Sequence, residues 1–224
     1  MRAPVMFAAL VATVIVTGCG GGDSMSDPSV PVTQGFPLFG PGPHWIEHVT
    51  SGTVTFDVAA VVGVDFDSDG VTDIVVQASG PTTVFRSNAR SSDAAHPRRR
   101  DHLDLEIVSL MLEAPAVVIR AGDGVGNLAA DGPLSALGSS DELAASPQLA
   151  RDEFEIHFAA EIFGMALHNQ APMRLGATID RLPPIGSVFE LDGPPVPLLT
   201  AAGDPSGFRV TSVSVTPLDP DASA

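Results

Sequence analysis

Three aspartates stand at alternate positions, Asp65, Asp67 and Asp69, followed by Gly70, Val71, Thr72 and a fourth aspartate, Asp73. Oxygens crowded this closely suit a hard cation. Calcium takes roughly six to eight oxygen ligands, and carboxylates at alternate residues of a tight loop supply them. Asp65, Asp67 and Asp69 would fill the first three acidic positions, Val71 would offer its backbone carbonyl and Asp73 a further carboxylate. Gly70 permits the sharp turn between them. Without a cation the carboxylates repel one another. The plainer alternative is a solvated acidic hairpin turn, for which Asp69-Gly70 is sufficient. Both readings stand on the sequence.

A second group of titratable residues alternates with apolar ones. Glu153, Glu155, His157 and Glu161 fall on one parity; Phe154, Ile156, Phe158, Ala160 and Ile162 fall on the other. Residues two apart on a strand stand about 6–7 Å apart, near the carboxylate spacing of inverting glycosidases. An exported hydrolase using Glu155, His157 and Glu161 is therefore the alternative to a binding module. The chain has no tyrosine and one tryptophan, poor provision for stacking sugars, and a solvated sheet face accounts for the same pattern.

Other candidates carry less. His44 and His48 are four apart, as in zinc-binding helices, but Pro43 and the preceding Gly-Pro run favour a strand entry anchored by Trp45. Arg98-Arg99-Arg100 is the only basic cluster and reads as a solvated loop offsetting local acidity. Gly122-Asp123-Gly124-Val125-Gly126-Asn127 lacks the last glycine of a dinucleotide fingerprint; Asp123, Asn127 and Asp131 would instead form a second cation loop. No G-x-S-x-G nucleophile elbow occurs. The polar run His168-Asn169-Gln170 lies in an apolar region, where its side chains would satisfy backbone groups at a strand bend.

The segment Asp65–Ile74, D-x-D-x-D-G-x-x-D-I, resembles the calcium loops of FG-GAP and VCBS-type repeats, in which such a loop links two strands. Here it is single, so a repeat-built propeller is not implied. It also departs from an EF-hand, because Val76 stands where a bidentate glutamate would.

The only cysteine is Cys19, preceded by Val16-Thr17-Gly18. Upstream lie Arg2 and an apolar run, Val5–Val16, too short for a membrane-crossing helix, which needs about 20 residues. Together these residues resemble a bacterial lipoprotein signal peptide. The resemblance implies cleavage before Cys19, lipidation of its thiol and a partner in the membrane itself, since two or more acyl chains anchor durably. It places the protein in the cell envelope, and Gly20 after the cysteine favours the outer membrane if the organism has one.

Composition limits the rest. The net charge is −16, and one unit more acidic once Arg2 leaves; every basic residue is arginine. Such a chain has no broad attraction for nucleic acid. With Cys19 lipidated no disulfide is available.

Residues 1–18 read as the signal peptide, 19–43 as the lipidated cysteine and a Gly/Pro/Ser-rich tether, 44–218 as one domain and 219–224 as a tail. Within the domain the period is two. Val54, Phe56, Val58, Ala60, Val62, Val64 and Phe66 share one parity, with a bend expected near Gly63. A strand over 71–77 follows, then a turn at Gly80-Pro81, a short strand to Arg86 and a polar loop over 87–101. Strands are expected at 103–107 and 117–119. Residues 121–150 read as a long connection with a helical turn near Asp141–Ala145. Strands over 153–162, 173–179, 188–191 and 208–215 complete the domain. Many short strands, 20 prolines and 22 glycines and no fixed repeat indicate an all-β fold, an antiparallel β-sandwich. The segments RAGDGVGNLAADGPL, LHNQAPMRL and IDRLPPIGS are similar to a family of uncharacterised exported bacterial proteins, which implies no mechanism.

The combined expectation is a lipid-anchored, non-enzymatic binding or structural module holding one calcium ion, with an envelope protein or a glycan as its ligand. Mass spectrometry of the native mature polypeptide tests the anchor. It should lack residues 1–18 and carry acyl chains on Cys19, and Cys19→Ser should retain the leader and the unmodified mass. An intact leader in the native protein would overturn the anchor.

Overall fold

The computed structural model describes residues 39–40, 42–91, 101–122, 126–128 and 132–219. Cys19, Arg98-Arg99-Arg100, Asp123 and Asp131 lie outside the described residues, as do the anchor, the basic cluster and the second cation loop read from them.

The domain is all-β and antiparallel. A 3-10 turn (Trp45–His48) precedes β1 (Gly52–Asp65), β2 (Ile74–Arg86), β3 (Arg90–Ser91), β4 (Asp101–Ala114), β5 (Val117–Ala121), β6 (Ala136–Leu143), β7 (Ser146–Ile156), β8 (Phe158–Ile162), β9 (Met165–Asn169), β10 (Met173–Ile179), β11 (Phe189–Leu191), β12 (Val196–Thr200) and β13 (Pro205–Pro217). All belong to one 13-stranded sheet. The two layers of the sandwich are thus one sheet folded onto itself, joined where β1 pairs with β13.

Four long strands lie side by side in the order β4-β2-β1-β13. The outer edges of β4 and β13 each change partner along their length. The start of β4 (His102–Glu106) pairs with β6, and its end (Leu110–Ala114) with β5. The end of β13 (Ser214, Val215) pairs with β11, and its start (Pro205–Val210) with β12. Two closed circuits result. The first runs β1-β2-β4-β6-β7-β10-β11-β13 and back to β1; the second runs β1-β2-β4-β5-β8-β9-β12-β13 and back. Each is an eight-stranded barrel, the closure that leaves a sheet without edges. The shared strands keep a single buried parity along both barrels: Phe56 and Val58 line the cavity of the first, and Ala60, Val62 and Val64 continue the same face.

Gly80-Pro81 lies inside β2 rather than at a turn. The β2–β4 pairing lapses between Ser79 and Thr82, so the N–H that Pro81 lacks costs that ladder nothing. A Cβ on Gly80 would stand 2.0 Å from the carbonyl oxygen of Met111. The pair that reads locally as a turn marks the waist where β2 and β4 approach and the two barrels part. The bend expected near Gly63 is a register shift between Gly63 and Val64 against β13.

The expected strand over 153–162 is two strands, because the chain passes from one barrel to the other at His157. The break is satisfied by one side chain. Phe158 donates its N–H to Asn169 Oδ1 at 2.7 Å, and Asn169 Nδ2 donates to the carbonyls of Ile156 at 2.9 Å and Ala171 at 2.8 Å. Asn169 is 4% exposed, so an unmade bond there would be costly. Residues 136–156 form a β6–β7 hairpin turning at Ala144-Ala145, not the connection with a helical turn that their composition suggests. The inward positions of β6 are Ala136, Gly138, Ser140 and Glu142, so its alternation carries no apolar signal.

The segment before β1 is a 3-10 turn rather than a strand. Trp45 and Ile46 are buried, and Trp45 Nε1 donates to the Gln148 carbonyl at 3.2 Å. The chain joins the fold at Phe39, whose N–H and carbonyl bond Leu182 at 3.2 and 3.0 Å.

Candidate functional site

The first barrel holds a cavity of about 80 Å³, more than one water requires. Its wall is built from inward positions of the long strands: Val54, Phe56 and Val58 on β1, Val84 on β2, Leu105 and Ile107 on β4. The opposite wall comes from Phe154 and Ile156 on β7, Leu175 on β10 and Phe189 on β11. Leu182-Pro183-Pro184 covers the stretch where β1 extends past the end of its pairing with β13. Thr82, Arg86 and Asp152 also line it, yet its surface is almost entirely apolar. Thr82 Oγ1 donates to the Ser109 carbonyl at 3.3 Å. Arg86 is 3% exposed, its Nε donates to the Thr50 carbonyl at 2.9 Å, and its guanidinium lies 5.3 Å from the centre of the Phe39 ring. Burial holds the Arg86 pKa below its ordinary value.

Asp152 is the unusual group. It is 1% exposed. Ser140 stands directly opposite on β6, fully buried. Burial pushes the Asp152 pKa up to about 7; the nearby Ser140 hydroxyl and Arg151 act in the opposite sense, and the charge of Asp141 adds to the rise. The Ser140 hydroxyl, directly across the β6–β7 pair, is the side chain that offers this carboxyl a hydrogen bond. Asp152 shares the parity of Phe154 and Ile156. An acid on the apolar parity of the clearest alternation in the chain was the signal available in the sequence.

Two further buried acids lie at the same end. Asp101 on β4 and Glu142 on β6 are 6% and 4% exposed and follow the cross-strand pair His102–Asp141. His44 Nδ1 lies 2.9 Å from Glu142 Oε2. One ligand atom from each of His44, Asp101 and Glu142 falls within 4.8 Å of the others, a donor set able to hold a divalent cation. His48 is elsewhere, 3.3 Å from Glu47, so the histidine pair is not a joint site.

The aspartate loop connects β1 to β2. Asp65 is fully buried and organises it: Oδ1 accepts from the N–H groups of Asp67 at 3.1 Å and Ser68 at 2.7 Å, and Oδ2 from Gly70 at 2.9 Å. Burial opposes its charge, but these three bonds and Arg209 outweigh it and hold its pKa below the ordinary value. Asp73 Oδ2 accepts from Phe66 N–H at 2.7 Å, and Asp69 Oδ1 from Val71 N–H at 2.7 Å. Carboxylate oxygens of Asp65, Asp67 and Asp73 come within 4.8 Å of one another; Asp69 does not join that set. Ser68 adopts a left-handed φ of 63° and donates its hydroxyl to the Gly207 carbonyl at 2.6 Å.

The glutamates of β7 and β8 face outward. Glu155 accepts from Arg174 at 2.7 Å, Glu153 from Arg151 at 3.2 Å, and Glu161 is exposed. None of them, nor His157, lines the cavity, so the structure gives the hydrolase constellation no shared enclosed cleft. Gly126 and Leu128 donate their N–H groups to the fully buried Glu106. That carboxylate anchors the glycine-containing connection after β5.

No protein-family model matches this chain, and no curated protein matches it. Among solved structures it is similar to DynF from the dynemicin biosynthesis pathway of Micromonospora chersina, with a TM-score of 0.59 and 19% identity over 90% of this chain and 95% of that one. The likeness is one of fold.

Asp152 makes stability depend on pH with a definite sign. Its folded pKa of about 7 exceeds the unfolded value of 3.8, so the folded state binds more protons between these limits. Stability therefore falls as pH rises from about 4 to 7, at about 1.4 kcal/mol per pKa unit. Asp152→Asn stays neutral and should not lose it. The thermal midpoint of the variant should gain on that of the wild type across this range and level off above pH 8. A difference independent of pH would exclude a buried, titrating Asp152.

Proposed function

We propose that this protein is a non-enzymatic binding module of the cell envelope, held at a membrane by lipid on Cys19, whose ligand is a small apolar molecule taken into the first barrel. The observation that carries this reading is the apolar, partly open cavity in that barrel. Ligand sites are concave and mostly apolar, with a few placed polar groups, and eight-stranded barrels are wide enough to hold one small ligand. Here the surface is formed almost wholly by Val, Leu, Ile, Phe and Pro, with Thr82, Arg86 and Asp152 among the lining residues. The leader residues ending in Val16-Thr17-Gly18-Cys19 support the location, and the formal charge of −16 accords with a partner other than nucleic acid.

Toluene is a suitable neutral probe. It should bind the full chain saturably by calorimetry and raise the thermal midpoint with concentration. Leu175→Trp, which fills the cavity, should weaken that binding at least about tenfold while leaving the β-sheet circular dichroism unchanged. Equal binding by the variant would place the ligand elsewhere, and no binding by the wild type would remove the proposal.

The reading includes a structural calcium ion in the β1–β2 loop, supported by the convergence of Asp65, Asp67 and Asp73 and by the oxygen-only donor set. Millimolar calcium should raise the thermal midpoint of the metal-stripped protein, and Asp67→Asn should reduce the rise. No shift on adding calcium or chelator would leave the loop as a plain acidic turn.

A further inference from the structure

Two buried acids stand together where β4 begins and β6 ends, and one of them has no partner. Asp101, the first residue of β4, is 6% exposed, yet its carboxylate makes no hydrogen bond or ion pair with any described residue. One of its oxygens lies within 4.8 Å of a carboxylate oxygen of Glu142 and of a ring nitrogen of His44. Glu142 is 4% exposed, and its Oε2 meets His44 Nδ1 at 2.9 Å. That contact accounts for one atom of Glu142 and leaves Asp101 as it was. Buried polar groups are nearly always paired, and each exception calls for a specific cause. Two carboxylates this close and this buried also repel one another.

The donors select what is missing. Two carboxylates call for a cation. The imidazole beside them calls for one that accepts nitrogen. Calcium and magnesium favour oxygen donors throughout, so His44 counts against them. Zinc takes imidazole and carboxylate together, with bonds of about 2.0–2.2 Å, so two donors on one tetrahedral zinc stand about 3.4 Å apart. His44 Nδ1 and Glu142 Oε2 are already near that separation. The backbone holds the three residues in place. Asp101 and Glu142 follow the β4–β6 pair His102–Asp141. His44 donates its backbone N–H to the Pro147 carbonyl at 2.9 Å, and the next residue, Trp45, donates Nε1 to the Gln148 carbonyl at 3.2 Å. These two bonds fasten the segment to β7. The His44 side chain is 53% exposed, which gives an ion access from solvent.

We propose that His44, Asp101 and Glu142 bind one zinc ion, which ties the segment before β1 to β4 and β6. Three protein donors leave one tetrahedral position for water. The site is independent of the barrel ligand and of the aspartate loop.

Zinc chloride, titrated calorimetrically into the chelator-treated full chain at pH 7, should bind at this site and raise the thermal midpoint. His44→Asn removes the imidazole and places a residue that tolerates the left-handed φ of 61°. It and Asp101→Asn should each weaken zinc binding at least about tenfold, the least that loss of even an outer-shell partner costs a metal site. Asp67→Asn, in the aspartate loop, should leave zinc affinity unchanged. All three should keep the β-sheet circular dichroism, and should Asp101→Asn fail to fold, the exposed His44 decides alone. Equal zinc binding by His44→Asn would place the ion elsewhere and overturn the proposal, as would a loss confined to Asp67→Asn. Tighter binding of calcium than of zinc, lost in His44→Asn, would overturn the choice of zinc. No zinc binding by the wild type would overturn the site.

Discussion

Closure of the sheet is the constraint on which everything else depends. A sheet edge left open exposes a row of unpaired N–H and C=O groups. In this chain β4 and β13 solve the problem twice, by giving different halves of one edge to different partners. The pairing of β1 with β13 then seals both circuits at once. Closure also decides which side of each strand is inside. Because β1 keeps one parity from Phe56 to Val64, the same alternation lines the cavity of the first barrel and continues beyond it.

The waist between the barrels is where regular pairing is given up. At Gly80-Pro81 the β2–β4 ladder lapses, and at His157 the chain leaves one barrel for the other. Each irregularity has its own remedy. Gly80 has no side chain to meet Met111, and Asn169 supplies three hydrogen bonds to the broken backbone. The polar run around residue 169, legible in the sequence as a strand-bend device, has that role through Asn169.

Charge is sorted by the same closure. On the outer face acids meet arginines: Glu155 with Arg174, Asp192 and Glu153 with Arg151, Asp104 with Arg90. These pairs are solvated and contribute little individually. Inside the first barrel Asp101, Glu142 and Asp152 are buried, with Arg86 the cation that reaches the cavity wall. The acids that looked chemical from the sequence are therefore the well-satisfied ones. The acid whose ionisation burial opposes is Asp152, one residue before them on the other parity.

The sequence by itself determined the all-β class, the antiparallel strands with apolar alternation and the aspartate turn after β1, because each depends on local period and turn chemistry within about ten residues. It also offered the lipoprotein-like leader, which is a linear signal. Tertiary structure decided the rest. β6 was hidden because its inward residues are Ala136, Gly138, Ser140 and Glu142, and a strand facing a polar, tightly packed corner need not be apolar. Gly80-Pro81 suggests a turn locally, because a break in pairing and a turn present the same two residues. The cavity belongs to neither β1 nor β7 alone. It exists only because strands nearly one hundred residues apart in sequence close around it, and whether an inward acid finds a partner is settled by what stands across that space.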